Sequence, residues 1–338
     1  MKRSRIERYN MSDIEKMRDE RDVEGLIESI KEGEKKERAV GALRNVIEQR
    51  HDDVPVEPLI DLLKDDLYVA YFGMMIVERL ASKGRDVSEC IGALNELVDD
   101  QVREVRRKAV DTLSVLTERG FYSPSSISHL TERLDEDDKD IRLDAVWTLY
   151  LLAKEGIGKK SSIPSVNELI EDEGKEVRSC AILTLAELAE HDIYRRSSIE
   201  PLNKALKDDS DEVRKHATFA LGILASKEVH DISSLDPLIE LLKNEDSKAR
   251  YDALFALGVM AEHGLGCESS ISILHELLKD PDGAVRKNAA LTLNELAITG
   301  IFRKKSVEKL KPLLDDKTED VRKAASRAMM TIRARTSD

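Results

Sequence analysis

One dipeptide recurs along the chain at a fixed spacing. Val-Arg occurs at steps of 36 residues or multiples of 36, at positions 105–106, 177–178, 213–214, 285–286 and 321–322. Ile141-Arg142 and Ala249-Arg250 fill two of the gaps. An alanine stands three residues after each of these arginines, and a leucine or methionine stands seven after. A unit of this length cannot bury an apolar face alone, so the repeat predicts about nine stacked units with shared contact residues.

Each unit has the pattern of two helices joined by an acidic turn. Ser-Ser-Ile recurs before the first apolar run, and Ser197 with Glu200 and Ser233 with Asp236 resemble capping boxes. The second helix of one unit is predicted from about Val213 to Ala225. Glycine follows the second helix at one equivalent position in four units, and this spacing predicts left-handed C′ residues of Schellman motifs. These glycines are Gly120, Gly156, Gly264 and Gly300.

The composition favours an all-helical protein that stays in water. Aromatic residues make up 4% of the chain, charged residues 36%, and the net charge is −13. Such acidity disfavours nonspecific binding to nucleic acid or membranes. No apolar run is long enough for a transmembrane helix or a signal peptide. Three widely separated cysteines, Cys90, Cys180 and Cys267, indicate no disulfide framework, and we expect a cytoplasmic protein.

The segment PLIELLKNEDSKARYDALFALGVMA, residues 237–261, resembles a HEAT repeat of the short kind also found in phycobilisome-lyase-like proteins. The resemblance covers roughly residues 23–334 as a single array, with a charged N-terminal cap or tail at 1–22 and a tail at 335–338. It implies an all-α, right-handed α-α superhelix of about nine 36-residue helix pairs. The first two units depart from the pattern, because Lys36 and Ala70 replace the arginine.

The family resemblance also implies a role for the repeated arginine. In HEAT repeats this arginine meets an acidic residue of the preceding turn. Six of the seven arginines here have Asp or Glu six residues before them, and Arg250 has Asn244. We therefore expect an Arg–Asp ladder between units and not a basic stripe for phosphate.

One face of the second helices is apolar where a charged face is expected. At 100° per residue, the positions one, five and nine after the arginine point away from the predicted core. The resemblance implies that second helices line the concave side, so these residues are expected to form a partner-binding groove. The candidate residues are Tyr71, Met75, Leu143, Trp147, Leu151, Leu183, Phe219, Ile223, Tyr251, Phe255, Val259 and Leu291.

The function predicted from this strip is a non-catalytic scaffold or adaptor that binds another protein, as a helix or an extended segment, in the groove. Packing of these side chains on one another, or contact with a second copy of the chain, would explain the same pattern. The oligomeric state is left open. Charged residues of the same rows would form a polar rim.

Two other classes of function compete with the adaptor: an enzyme, either a HEAT-like metalloenzyme or a lyase-type enzyme, and a nucleic-acid-binding solenoid. A HEAT-like hydroxylase binds two iron ions through His-Glu pairs, and Cys180, His216 and Asp252 form a row two residues after the arginines. Helices lie about 8–10 Å apart, so such a row does not converge on one ion, and we expect no metal or cofactor. The basic residues of the last unit, such as Arg303 and Lys304, favour a solvated cap over a nucleic-acid site.

Overall fold

A computed structural model of the chain describes residues 11–32, 36–50 and 54–337. The chain divides into two compact units, Met1–Ile157 and Gly158–Asp338. The α-helices of the first unit are α1 (Met11–Glu20), α2 (Val23–Glu32), α3 (Lys36–Arg50), α4 (Glu57–Leu63), α5 (Leu67–Ser82), α6 (Ile91–Val98), α7 (Arg103–Glu118), α8 (Ser126–Glu132) and α9 (Lys139–Lys154).

The second unit continues the same alternation of short and long helices. Its α-helices are α10 (Ile163–Glu168), α11 (Lys175–Glu190), α12 (Ile199–Ala205), α13 (Asp211–Ser226), α14 (Leu235–Leu241), α15 (Ser247–Glu262), α16 (Glu268–Leu277), α17 (Gly283–Ile298), α18 (Ser306–Leu310) and α19 (Glu319–Ser337). Within the described residues, the helices from α2 onward form nine consecutive pairs, as the repeat predicts. No β-strand occurs in the described residues, and the predicted all-α fold class is confirmed.

The repeated small and large residues form the core within each unit of the fold. The first helix of a pair packs on the second, and successive second helices pack side by side, as α11, α13, α15, α17 and α19 do. In α13, Ala217 and Leu221 are 0% and 4% exposed. The alanine permits close approach of the neighbouring helix, and the leucine fills the space between the layers.

The predicted helix ends are confirmed at the glycines. Gly120, for example, has φ +84° and follows α7. The amide of Phe121 donates to the carbonyl of Leu116, and the amide of Gly120 donates to that of Thr117, which is the Schellman pattern. In α11 and α13 the equivalent residues are Asp192 and Glu228, which adopt φ 61° and 59° without being glycine.

The predicted capping boxes are wrong. The N-cap residues of α12 and α14 are Ser198 and Ser234, and neither makes a side-chain cap hydrogen bond. A turn of 3₁₀-helix precedes each of these helices, so their N-cap residues already have helical backbone angles. Before α14 the capping group is Asp231, whose carboxylate accepts from the amide of Ser233.

The predicted arginine ladder exists, but the predicted source of its carboxylate is wrong. The preceding turn provides backbone carbonyls: Nη1 of Arg250 donates to the carbonyl oxygens of Asn244 and Glu245, both at 2.8 Å. The carboxylate comes from the following 36-residue repeat, where Asp280 accepts hydrogen bonds from Nε and Nη2 of Arg250 at 2.8 and 3.0 Å. One guanidinium therefore ties its own turn to the next one, and we call each such bidentate pair a rung.

In four rungs, the arginine and its carboxylate both belong to the same one of the two compact units. They are Arg106–Glu136, Arg178–Asp208, Arg250–Asp280 and Arg286–Asp316. The hydrogen bond from Arg286 lowers the pKa of Asp316, which shows that the pair favours the ionised carboxylate.

Helices lie at both predicted ends of the array. Helix α1 covers residues 11–20 of the predicted cap or tail, while residues 1–10 lie outside the described residues. Helix α19 continues to Ser337 and so includes most of the predicted C-terminal tail. The boundaries of a single array from 23 to 334 stay a prediction. None of the helices in the described part of the chain is long and apolar enough to cross a membrane.

Candidate functional site

Three aromatic side chains stand exposed on two adjacent second helices of the second unit. Phe219 on α13 is 46% exposed, and Tyr251 and Phe255 on α15 are 39% and 47% exposed. They occupy the first and fifth positions after the repeated arginines, which the helical spacing directs away from the core. We call these three residues the aromatic cluster.

The ring of Phe255 packs against the backbone of α13 at a glycine. A Cβ at Gly222 would lie 3.4 and 3.5 Å from Cε1 and Cδ1 of Phe255, which is ordinary van der Waals contact. The ring thus leans on a helix face that has no side chain at that point. One face of Phe255 is fixed by this contact, while about half of the side chain stays open to a partner.

The other predicted residues of the second unit differ in exposure. Leu183, Val259 and Leu291 are half-buried and border the aromatic cluster on their helices. Ile223 is only 6% exposed and packs among the core residues of α13. Its side chain therefore offers almost no surface, although the sequence places it on the same face.

In the first unit the predicted residues form two separate groups. Tyr71 and Met75 on α5 are 44% and 41% exposed. Leu143, Trp147 and Leu151 on α9 are half-buried. On the intervening helix α7, the equivalent positions hold the charged residues Arg107 and Asp111, so the apolar face is interrupted there.

Trp147 is held by its own chain. Its Nε1 donates to Oε1 of Glu118 at 3.0 Å, and its ring lies 5.2 Å from that of Tyr150. The most polar atom of the ring is therefore already satisfied, and much of its apolar surface is covered. This environment differs from that of the aromatic cluster: Phe219 and Phe255 have no polar side-chain atom, and the hydroxyl of Tyr251 makes no hydrogen bond within the described residues.

The sequence reasoning missed exposed apolar residues at the start of α5. Leu67 and Tyr68 are 52% and 44% exposed, and Tyr68 packs edge-on against Phe72 at 4.6 Å. Tyr68 lies two residues before the position of the repeated arginine, which is Ala70 in this unit. At 100° per residue this position shares the face of the fifth position, so the signal was present.

We call the contact between one second helix and the next a step. The step from α13 to α15 lacks a rung. The next unit offers Asn244 where the other turns have a carboxylate, and Arg214 pairs instead with Asp211 of its own helix. Within the described residues no hydrogen bond or salt bridge joins α13 to α15 or to the turn before α15. Apolar packing, such as that of Phe255 on Gly222, holds this step together.

A cleft of about 220 Å³ opens at the N-terminal ends of α13 and α15, with both lysines and carboxylates in its lining. His216 and Asp252 line it, and burial lowers the pKa of His216. Nδ1 of His216 is 2.6 Å from the hydroxyl of Ser179.

Cys180, the third member of the predicted row, is buried and does not line this cleft. Its burial raises the pKa of the Cys180 thiol to about 12, so the group stays protonated. The described residues contain no group of three or more His, Cys, Asp or Glu side chains that could hold a metal ion.

The geometry defines an all-α tandem-repeat protein built from stacked helix pairs with an arginine ladder. The sequence profile of HEAT repeats matches residues 56–150, 149–222 and 235–333, and the chain belongs to the HEAT-repeat family. The resemblance stated from the sequence is thereby confirmed. Folds of this kind commonly serve as protein-binding surfaces.

Solved structures with a similar fold include engineered repeat proteins. One engineered protein is 25% identical with a TM-score of 0.65, over 96% of this chain and 92% of that chain. A designed armadillo repeat protein is 22% identical with a TM-score of 0.47, over 61% of this chain and 99% of that one. A computationally designed armadillo repeat protein for modular peptide recognition gives the same values. No curated protein matches the chain.

Proposed function

We propose that the chain is a non-catalytic scaffold or adaptor that binds a polypeptide segment of another protein across α13 and α15. The observation that carries this proposal is the aromatic cluster, three rings 39–47% exposed on neighbouring helices. Exposed aromatic side chains that lie together on a fixed surface are the residues that dominate protein interfaces when they become buried. Leu183, Val259 and Leu291 would extend the contact along the same face.

The local structure supports a surface for binding over one for internal packing. The rings of Phe219 and Phe255 keep about half of their area exposed although the helices beside them are tightly packed. A helix that binds there would present residues at i, i+3, i+4 and i+7 to the cluster. Cys90, Cys180 and Cys267 are free thiols, which supports a reducing compartment such as the cytoplasm.

The test is a selection of peptides that bind the whole chain, followed by affinity measurement on variants. Peptides are selected from a displayed random library, and their binding is measured by fluorescence anisotropy. The triple variant Phe219→Glu, Tyr251→Glu, Phe255→Glu should weaken binding by about 100-fold or more, because central aromatic anchors each contribute about 2 kcal/mol or more.

A matched control exists in the same unit of the fold. Ile232, Leu314 and Met330 are 68%, 37% and 69% exposed and belong to elements other than α13 and α15. Their triple replacement by glutamate adds the same charge and should change binding by less than about 2-fold. Equal losses in both triple variants would contradict the proposal.

Amide hydrogen exchange on the unmutated protein keeps the test decisive if a variant unfolds. A bound peptide should protect α13 and α15, and protection confined to other helices would contradict the proposal. Sedimentation of the free protein tests the alternative of self-association. Dimerisation that the cluster variant abolishes would show that the occupant is a second copy of the chain.

A further inference from the structure

Four glutamates follow the apolar face toward the C-terminal ends of the second helices. Glu187 comes four residues after Leu183 on α11, and Glu295 comes four after Leu291 on α17. Residues three, four or seven apart on a helix share one face. The other two glutamates lie seven residues after Leu183 and Phe255, at Glu190 and Glu262. We call these four glutamates the acidic edge.

Salt bridges do not neutralise the acidic edge. Within the part of the chain that the structure describes, none of the four carboxylates forms a salt bridge. Oε1 of Glu295 accepts a hydrogen bond from the side-chain Nδ2 of Asn294 at 2.9 Å. The nearby Lys227 is committed elsewhere, since its Nζ donates to Oδ1 of Asp192 at 2.8 Å and to the backbone carbonyl of Glu190 at 3.0 Å.

Two of these glutamates stand where a negative charge opposes helix stability. Glu190 and Glu262 are the last residues of α11 and α15. The carbonyl end of a helix carries partial negative charge, so an anion there is disfavoured and a cation is favoured. Glu190 and Glu262 therefore do not stabilise their own helices, and a cation from a partner would relieve the repulsion.

The opposite edge of the aromatic cluster carries charges of both signs. Lys215 and Lys248 lie there with Asp211, Glu212 and Asp246, all five exposed. Lysines therefore stand beside the carboxylates on that side, whereas all four residues of the acidic edge are carboxylates. The whole chain has a net charge of −13, which also favours a basic partner.

We propose that the segment bound by the aromatic cluster is a polypeptide whose apolar side is bordered along one edge by lysine or arginine. The apolar side chains contact Phe219, Tyr251 and Phe255, and the basic side chains contact the acidic edge. This inference rests on the proposed function and adds the chemical class of the partner. Complementary charge at the margin of an interface speeds association and fixes the orientation of the segment.

Three synthetic helical peptides test the inference. They share one leucine face, and one edge of the helix carries lysine, glutamine or glutamate. Against the full-length protein, the lysine-edged peptide should bind at least about 10-fold more tightly than the glutamine-edged one, and the glutamate-edged peptide should bind most weakly. Raising the salt from about 0.05 M to about 0.5 M should reduce this preference, because exposed charges are then screened.

Variants of the protein assign the preference to the acidic edge. Replacement of Glu187, Glu190, Glu262 and Glu295 by glutamine should make the lysine-edged and glutamine-edged peptides bind alike. The control replaces four glutamates on the first helices by glutamine, and it should keep the preference. These control residues, none of which forms a salt bridge within the described residues, are Glu168, Glu200, Glu276 and Glu308.

The outcomes separate the two proposals. If all three peptides bind equally and require the aromatic cluster, the protein-binding function stands and the inference about charge is overturned. Tightest binding of the glutamate-edged peptide would overturn it as well. If neither these peptides nor the selected ones depend on the cluster, the proposed function itself is wrong.

Discussion

The step from α7 to α9 and the step from α13 to α15 occupy equivalent places in the repeat but are held together differently. In the first, Arg106 and Glu136 form a complete rung at 2.8 and 2.9 Å, and Arg103 adds a bond to Asp138 at 2.8 Å. In the second, no hydrogen bond or salt bridge crosses between the helices within the described residues.

The aromatic residues of these two steps follow the same contrast. Trp147 on α9 is anchored to Glu118 of α7, whereas Phe219 and Phe255 remain about half exposed. Where the chain satisfies its aromatic side chains internally, little surface is left for a partner. The aromatic rings that stay open thus lie at the step that has no hydrogen bond or salt bridge between its helices within the described residues, and the proposed binding surface lies there too.

The largest effect is expected from removing the charge of a rung. Glu136→Gln should lower the free energy of unfolding by about 2–3 kcal/mol, because the half-buried guanidinium of Arg106 loses its bidentate carboxylate. Urea denaturation followed by circular dichroism measures this change. The neighbouring Glu132→Gln is the control, since Glu132 is exposed and makes only a 3.7 Å ion pair. Equal stability of the two variants would mean that the rung does not hold the α7–α9 step.

The two aromatic positions should respond differently to truncation. Trp147→Ala should lower the free energy of unfolding by about 2 kcal/mol, because the half-buried ring and its hydrogen bond are lost. Phe219→Ala should lower it by less than about 1 kcal/mol, because nearly half of that side chain is exposed already. Thermal unfolding by calorimetry compares them, and a larger loss at Phe219 would show that its ring belongs to the core.

Restoring the missing carboxylate should stabilise the α13–α15 step. Asn244→Asp places an acid at the position that Asp280 occupies one unit later, within reach of Arg214. The free energy of unfolding should rise by about 1 kcal/mol, the usual gain from a partly buried charged hydrogen bond. Asn244→Ser is the matched control without charge. A destabilised Asp variant would mean that Arg214 cannot leave its pairing with Asp211.

The equivalent aspartates of α9 and α15 should differ in their dependence on pH. Burial, with help from the charges of Asp111 and Asp140, raises the pKa of Asp144 to about 6 from an ordinary value of 3.8. The folded state thus binds this proton more tightly, and the stability it contributes is present below pH 4 and lost as the pH rises through 6.

Asp144→Asn should therefore be more stable than the unmutated protein at neutral pH, by about 1 kcal/mol after allowance for solvent screening. The difference should vanish near pH 4. Burial also raises the pKa of Asp252, but Lys215 and Lys248 oppose the shift, so Asp252→Asn should gain less. Urea denaturation at several pH values measures both, and a gain that persists at low pH would contradict the assignment.

The smallest effect is expected at the helix ends. Glu228 after α13 adopts φ 59° where Gly120 after α7 has φ 84°. Glu228→Gly should raise the free energy of unfolding by about 0.5–1 kcal/mol, because side chains other than glycine are strained in this region. Gly120→Ala should lower it by about 1 kcal/mol, although an added Cβ meets nothing within 4 Å. Chemical denaturation measures both variants. A loss of stability in Glu228→Gly would contradict the prediction and would mean that other contacts of Glu228 outweigh the backbone strain.

Much of the fold could be predicted because the same contact residues occur in repeat after repeat. The alanine of each second helix, the leucine four residues later and the glycine after the helix occur at one spacing, and the structure uses them as the pattern indicates. The capping boxes failed because a 3₁₀ turn precedes α12 and α14, and short serine motifs do not distinguish these two geometries.

The candidate site could be predicted in part. The helical period correctly placed Phe219, Tyr251 and Phe255 on an exposed face. The same period placed Ile223 and Trp147 on that face, yet Ile223 is buried and Trp147 is tied to Glu118. Periodicity gives the direction of a side chain on its own helix, while exposure also depends on the neighbouring helix.

The sequence by itself determined the helix pairs, the repeat of 36 residues and the family, because each unit must present identical contacts to stack on the next. Only the tertiary structure decided which carboxylate each arginine binds and which aromatic rings stay open. Those outcomes depend on atoms that lie about 30 residues apart in the chain, as Arg250 and Asp280 do, and that meet only when consecutive units are packed. The proposed binding surface consequently depends on the packing of two neighbouring helices, since no single helix contains the contacts that decide whether its rings are covered.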